Sequence, residues 1–185
     1  MGRNPNELIT LGYQARREGR LEDARRFFAE AVELCRAARA GDASLLASAL
    51  MGLGQIERDL KNRDAALEHY REAVKLYRSG VDPLRFAHTI RHLGDVLRED
   101  GVMDEARNCY EEALAIYRSH KETSPLDLAN TLRGFALLRG FAGEAEEAKS
   151  LWQEARGLYQ SVEVEAGVQE SDRQIERLTR KQRSG

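Results

Sequence analysis

The sequence predicts an all-α fold built from repeated helix-turn-helix units, and three observations predict it. Charged residues make up 32% of the chain and there are only three prolines, while strong helix formers (Ala, Leu, Glu, Arg) dominate. Apolar residues recur at helical rather than strand spacing. The chain also matches itself at long period. Aligning Leu11-Gly12, Leu53-Gly54, Leu93-Gly94 and Phe135-Ala136 brings Ala24, Ala66, Ala106 and Ala148 into register. Phe28, Tyr70, Tyr110 and Trp152 follow, and then Ala31, Ala73, Ala113 and Ala155. Successive units are offset by 42, 40 and 42 residues.

Each unit reads as two helices. In the third, Phe86, Ile90, Leu93 and Leu97 form the stripe of a first helix, and Ala106, Tyr110, Ala113 and Tyr117 that of a second. Gly101 marks the turn between them and Gly143 the corresponding turn of the fourth unit. Asp82-Pro83 opens unit three and Ser124, Pro125 and Asp127 open unit four, with Gly80 as a stop just upstream. The small residues have a packing reason: Gly or Ala in the first helix lets backbones approach, and the aromatic four residues after the first alanine fills the gap. The domain organisation expected is four units over 5–161 (about 5–41, 42–82, 83–123 and 124–161) and a capping helix over 162–182. In that last segment Val164, Val168, Ile175 and Leu178 share a stripe among charged residues, as a solenoid cap with a polar outer face requires.

The Leu-Gly, Ala-x3-aromatic and following Ala pattern resembles the tetratricopeptide repeat. The resemblance covers roughly Pro5 to Ser161. The period exceeds the usual ~34 residues of that family, and in this it is similar to the extended repeats of kinesin light chains, as Leu128-Ala129-Asn130-Thr131-Leu132 also suggests. What the family implies is a right-handed superhelix, a TPR solenoid, that binds peptides or protein segments in a concave groove lined by the first helix of each unit.

Carrying that lining over gives Asn6, Tyr13, Arg16 and Arg17 in unit one, and Gln55, Arg58 and Asp59 in unit two. Unit three gives His88, Arg91, His92, Asp95 and Arg98, and unit four Asn130, Arg133, Leu137 and Phe141. Six arginines face Asp59 and Asp95, with Glu99 nearby, although the whole chain has a formal charge of -2. Forked guanidinium donors suit carboxylates and phosphates, so the ligand class expected is an acidic segment of a protein or peptide. The alternative is that these arginines pair with acids on adjacent helices. A chaperone-tail carboxylate clamp is not implied, because Ile9 and Tyr13 stand where that clamp uses a basic residue and an asparagine.

Other functions have weaker support. His88, His92 and Asp95 lie at i, i+4 and i+7 on one helix face and would permit a divalent metal, but His-Glu-x-x-His is missing, so neither a metal nor a cofactor is expected. Gly52-Leu53-Gly54 falls inside a predicted helix with no preceding strand and is not a dinucleotide loop. No Gly-x-Ser-x-Gly and no phosphate loop occurs, and the reading is not an enzyme. The near balance of charge argues against nucleic acid. No apolar run approaches a membrane span of ~18 residues, and no secretory signal opens the chain, so a cytoplasmic protein off the membrane is expected. Cys35 and Cys109 are too far apart in the repeat to pair and read as reduced. The first unit has no cap of its own, which leaves a homodimer or a self-associating scaffold open. Gly134 and Gly140 make the first helix of unit four the softest.

Overall fold

A computed structural model of the chain describes residues 4–38, 42–79 and 82–183, the last three without their side chains. Gly80, expected to end a helix, lies outside them. Every regular element among the described residues is an α-helix. They are α1 (Pro5–Arg17), α2 (Leu21–Ala37), α3 (Ala43–Asp59), α4 (Arg63–Arg78), α5 (Pro83–Glu99), α6 (Met103–Ser119), α7 (Pro125–Phe141), α8 (Ala145–Ser161) and α9 (Glu165–Arg183). No helix among them is long and apolar enough to cross a membrane.

Local chemistry fixes the helix starts. Asn4 and Glu7 form a reciprocal capping box on α1, each side chain accepting from the other's backbone N–H. Asp42 accepts from the N–H groups of Ser44 and Leu45 at 2.9 and 3.2 Å. Both satisfy orphan donors of a first turn. Pro83 and Pro125 are the first residues of α5 and α7, where a missing N–H loses nothing. The turns inside the hairpins share one conformation: Gly19, Lys61, Gly101 and Gly143 all have φ between 69° and 83°, and they are spaced as the repeat is.

The helices group into two compact units, Met1–Val96 and Leu97–Gly185, with the boundary inside α5. In the first, α1 packs on α2, α3 on α4, α2 on α3, and α1 touches α3. In the second, α7 packs on α8, α8 on α9, and α6 on α7. The repeated residues form the core. Ala24, Ala31, Ala66, Ala73, Ala106, Ala113, Ala148 and Ala155 are fully buried, as are Phe28, Tyr70 and Tyr110, with Trp152 almost so.

The glycines show how closely the helices approach. A Cβ at Gly12 would lie 2.7 Å from the Phe28 ring and one at Gly52 only 2.2 Å from it. The Phe28 ring is therefore the spacer between α1 and α3, and no side chain fits at either glycine without moving it. At the far end Gly167 of α9 gives the same clearance to Tyr159 of α8, where a Cβ would come within 2.5 Å of the ring. That contact seats α9 as a packed helix rather than a loose tail.

Candidate functional site

In the unit Met1–Val96, the polar residues of α1, α3 and α5 join into one chain of hydrogen bonds. Arg16 donates from Nε to Asp59 at 2.7 Å and from Nη1 to the Gln55 carbonyl at 3.1 Å. That fixes the Gln55 amide nitrogen as the donor toward His92 Nε2 at 3.2 Å. Arg91 reaches the same nitrogen at 2.6 Å and Asp95 at 3.1 Å, and Arg58 closes on Asp95 at 3.4 Å. Guanidinium groups only donate, so His92 Nε2 is an acceptor and the ring proton sits on Nδ1, which is buried with no partner among the described residues. Burial, followed by the neighbouring Arg91 and His88, holds the His92 pKa well below the usual imidazole range. The ring is further sandwiched by Tyr70, stacked at 5.8 Å, and by His88, edge-on at 4.8 Å.

Tyr13 does not join this chain. It sets its ring edge-on to Phe28 at 5.0 Å, and burial, then Tyr77, pushes its hydroxyl pKa up to about 12. Beside it Tyr77, Ser48 and Arg85 are linked, with Ser48 Oγ 2.7 Å from the Tyr77 hydroxyl and 2.9 Å from Arg85 Nη1. Among the described residues no three His, Cys, Asp or Glu side chains converge as a metal site needs. The Asp95 carboxylate that would have completed one is held by two arginines.

The unit Leu97–Gly185 is built differently. Arg133 is tied to Glu170 of α9 by two bonds of 2.7 and 2.9 Å, and Asn130 accepts from the Tyr159 hydroxyl at 2.8 Å. Arg156 holds Asp172 at 2.6 Å. These bonds and the Gly167 contact fix α9 beside α7 and α8. A groove of about 1170 Å³ is left open. Its apolar lining comes from Met103, Leu137, Gly140, Phe141 and Leu178, and its charged lining from Arg98, Arg177, Arg180 and Glu99. Phe141 is 77% exposed there, a large ring left in water. Arg98 contacts Glu99 at 3.6 Å and the Tyr110 hydroxyl at 3.4 Å, and Arg180 contacts Glu176. Arg177 is exposed and makes no ion pair among the described residues.

The hairpin geometry is what known proteins share with this chain. Its sequence matches the MalT-like TPR region over residues 7–184. The chain belongs to the MalT-like TPR family. Its fold is that of solved TPR structures, among them the crystal structure of BtubC (BKLC) from P. vanneervenii. That likeness has a TM-score of 0.73 at 16% identity and covers 97% of this chain and 80% of that one. Matching solved chains number 268, so the architecture alone singles out no ligand. No curated protein matches the sequence.

Within this TPR chain the candidate residues read from the repeat fall into two sets. Arg16, Gln55, Arg58, His88, Arg91, His92 and Asp95 come together in the first unit, where the arginines are engaged by acids. Arg98 and Leu137 come together in the second-unit groove, while Asn130 and Arg133 beside it hold neighbouring helices. Arg17 is exposed on α1. The register missed Met103, Arg177, Leu178 and Arg180, and also Glu170 as the partner of Arg133. A signal for them was present: Leu178 follows Leu137 by about one repeat length, so α9 occupies the position of a further first helix. As a TPR-type fold the chain has the architecture of a protein-interaction or scaffolding module.

Proposed function

We propose that this TPR chain is a non-catalytic binding module that clasps an acidic segment of a partner protein on the face formed by its first helices, with no cofactor. The observation that carries this is the groove of the second unit, where Arg98, Leu137 and Phe141, all expected on the binding face, stand with Arg177 and Arg180, Phe141 largely exposed. An apolar floor excludes water from part of the ligand, and charged donors at the margin orient carboxylates, which is how a groove gains both affinity and selectivity. Arg98 and Arg180 also have acid partners, Glu99 and Glu176, so Arg177 supplies the groove's most open charge; Arg58, Arg91 and Arg133 line other surfaces, each held by an acid.

The test is a pull-down from native extract at low and moderate salt, with the intact chain beside an Arg98→Glu, Arg177→Glu, Arg180→Glu variant of unchanged helicity. Capture that falls with salt and vanishes in the variant supports the acidic groove. Equal capture by both chains removes it from the account.

A second reading is self-association through α1. One observation favours it: a hollow of about 490 Å³ beside Asn4, Asn6, Glu7, Thr10 and Leu11. Light scattering that returns a strict monomer at high concentration would set this aside.

A further inference from the structure

We infer that the outer face of the first unit, formed by α1 and α2, is a docking surface for a helix of another repeat protein, one that carries an aromatic ring and, eight residues on, an arginine. This face is separate from the second-unit groove and its occupant does not depend on that reading.

Within the stack, one unit engages the next through two recurring contacts. Arg36, in the last turn of α2, grips Glu72 of α4 with bonds of 2.7 and 3.0 Å, and Arg118 of α6 grips Glu154 of α8 at 2.7 Å. The second pair stands two repeats after the first, at the same register positions. The other contact is made by the ring of the second helix. Phe28 lies so close to Gly52 of α3 that a Cβ there would come within 2.2 Å of it, and Tyr70 stacks on His92 of α5 at 5.8 Å. Gly52 and His92 also share one register position. A second helix thus joins the following unit through its ring and its arginine, as α2 does with Phe28 and Arg36.

One period earlier the two receiving positions are Thr10 of α1 and Glu30 of α2, and both are exposed. Thr10 lines the hollow of about 490 Å³ on α1, and His92 shows that a side chain at this position still takes a ring by stacking. Glu30 makes no ion pair among the described residues, whereas Glu72 and Glu154 each hold an arginine. Phe27 and Leu34, three before and four after Glu30, share its helix face, and Leu34 is 38% exposed. An apolar surface with one unanswered carboxylate fits an apolar helix face with one cation.

A second copy of the chain is poorly equipped to supply that helix. Its Arg36 and Arg118 are engaged, and its Arg78 lies over the Phe86 ring at 4.8 Å. In α8 the arginine position is Gln160, and α9 already packs on that helix. The occupant is therefore a helix of a different chain.

The probe is a labelled helix with the sequence of α4, Arg63–Arg78, which carries Tyr70 and Arg78 at the required spacing and is stapled on its opposite face. Fluorescence anisotropy is read against the intact chain, Glu30→Lys and Thr10→Arg, each checked for native helicity. The probe is expected to bind the intact chain and to bind Glu30→Lys about fivefold more weakly. Thr10→Arg in the chain, or Tyr70→Ala in the probe, should weaken binding about tenfold or more. A probe with Arg78→Glu is expected to prefer the Glu30→Lys chain. The Arg98, Arg177, Arg180→Glu chain should bind the probe normally, which separates this face from the second-unit groove. No saturable binding of the probe, or binding indifferent to Glu30→Lys and Thr10→Arg, overturns the inference. A dimer of the chain alone that Thr10→Arg dissociates overturns it as well, since a second copy would then hold the face.

Discussion

Both units of this chain carry arginines in the helices that stand at first-helix positions and use them differently. In the first, Arg16, Arg58 and Arg91 are tied through Gln55 and His92 to Asp59 and Asp95, and the polar face is closed on itself. In the second, Arg133 is drawn onto α9, while Arg177 and the ring of Phe141 stay uncovered beside an open groove. A cation's residue type and register therefore do not decide its role. What decides it is whether a carboxylate arrives from the next helix at the same height.

The comparison breaks most sharply at paired positions. Arg91, whose side chain is 8% exposed against Asp95, is expected to cost about 3 kcal/mol when replaced by alanine, since Asp95 is left with Arg58 and the His92 acceptor loses its shortest donor. Arg177→Ala is expected to change stability by less than about 0.5 kcal/mol. Urea midpoints measure both, and equal effects would erase the distinction between a closed and an open face.

The close approach of α1 and α3 sharpens the first unit's side of the contrast. Gly52→Ala pushes a methyl into the Phe28 ring and is expected to lose about 2 kcal/mol. Adding Phe28→Leu should recover part of that loss, and a full additive loss would show that the ring is not the obstacle.

Acid should loosen the first unit through His92. Its pKa is depressed in the folded chain by burial and by Arg91 and His88, whereas the unfolded value is near 6.5. The folded state thus binds fewer protons in that window. The stability is complete above about pH 6.5 and falls as pH drops below it toward the folded value. Urea midpoints at pH 7.5 and 5.5 should differ less in His92→Gln, with a remnant from His69, which burial shifts the same way. An unchanged pH dependence in that variant would place the titration elsewhere.

The smallest effect has the opposite sign. Gly157 lies within α8, and a Cβ there would meet nothing within 4 Å. Gly157→Ala is expected to stabilise by up to about 1 kcal/mol, read as a raised melting temperature. Gly12, Gly52 and Gly167 show what a required glycine looks like by comparison.

Much of the fold was legible because one pattern repeats. The Leu-Gly, alanine and aromatic positions predicted the helical-repeat fold, and the aligned alanines and aromatics are all buried. Pro83, Ser124-Pro125, Gly101 and Gly143 marked boundaries that local backbone chemistry sets. The binding face was legible only as a set of directions. Register says which way Arg133 points, but not that Glu170, far along the chain, meets it with two bonds. Nor does it say that the last helix, which reads as a solubilising cap, gives Arg177, Leu178 and Arg180 to the groove. Those facts depend on tertiary placement, and a one-dimensional period carries none of it.

Among the four left-handed hairpin turns, three are made by glycine and one by Lys61 at φ 69°. An L-residue held in that region is disfavoured by roughly 1–2 kcal/mol, so the second hairpin carries a stability deficit that its siblings lack. Sequence drift toward glycine at this position can restore it without altering either arginine face, giving the protein a reserve against destabilising changes elsewhere.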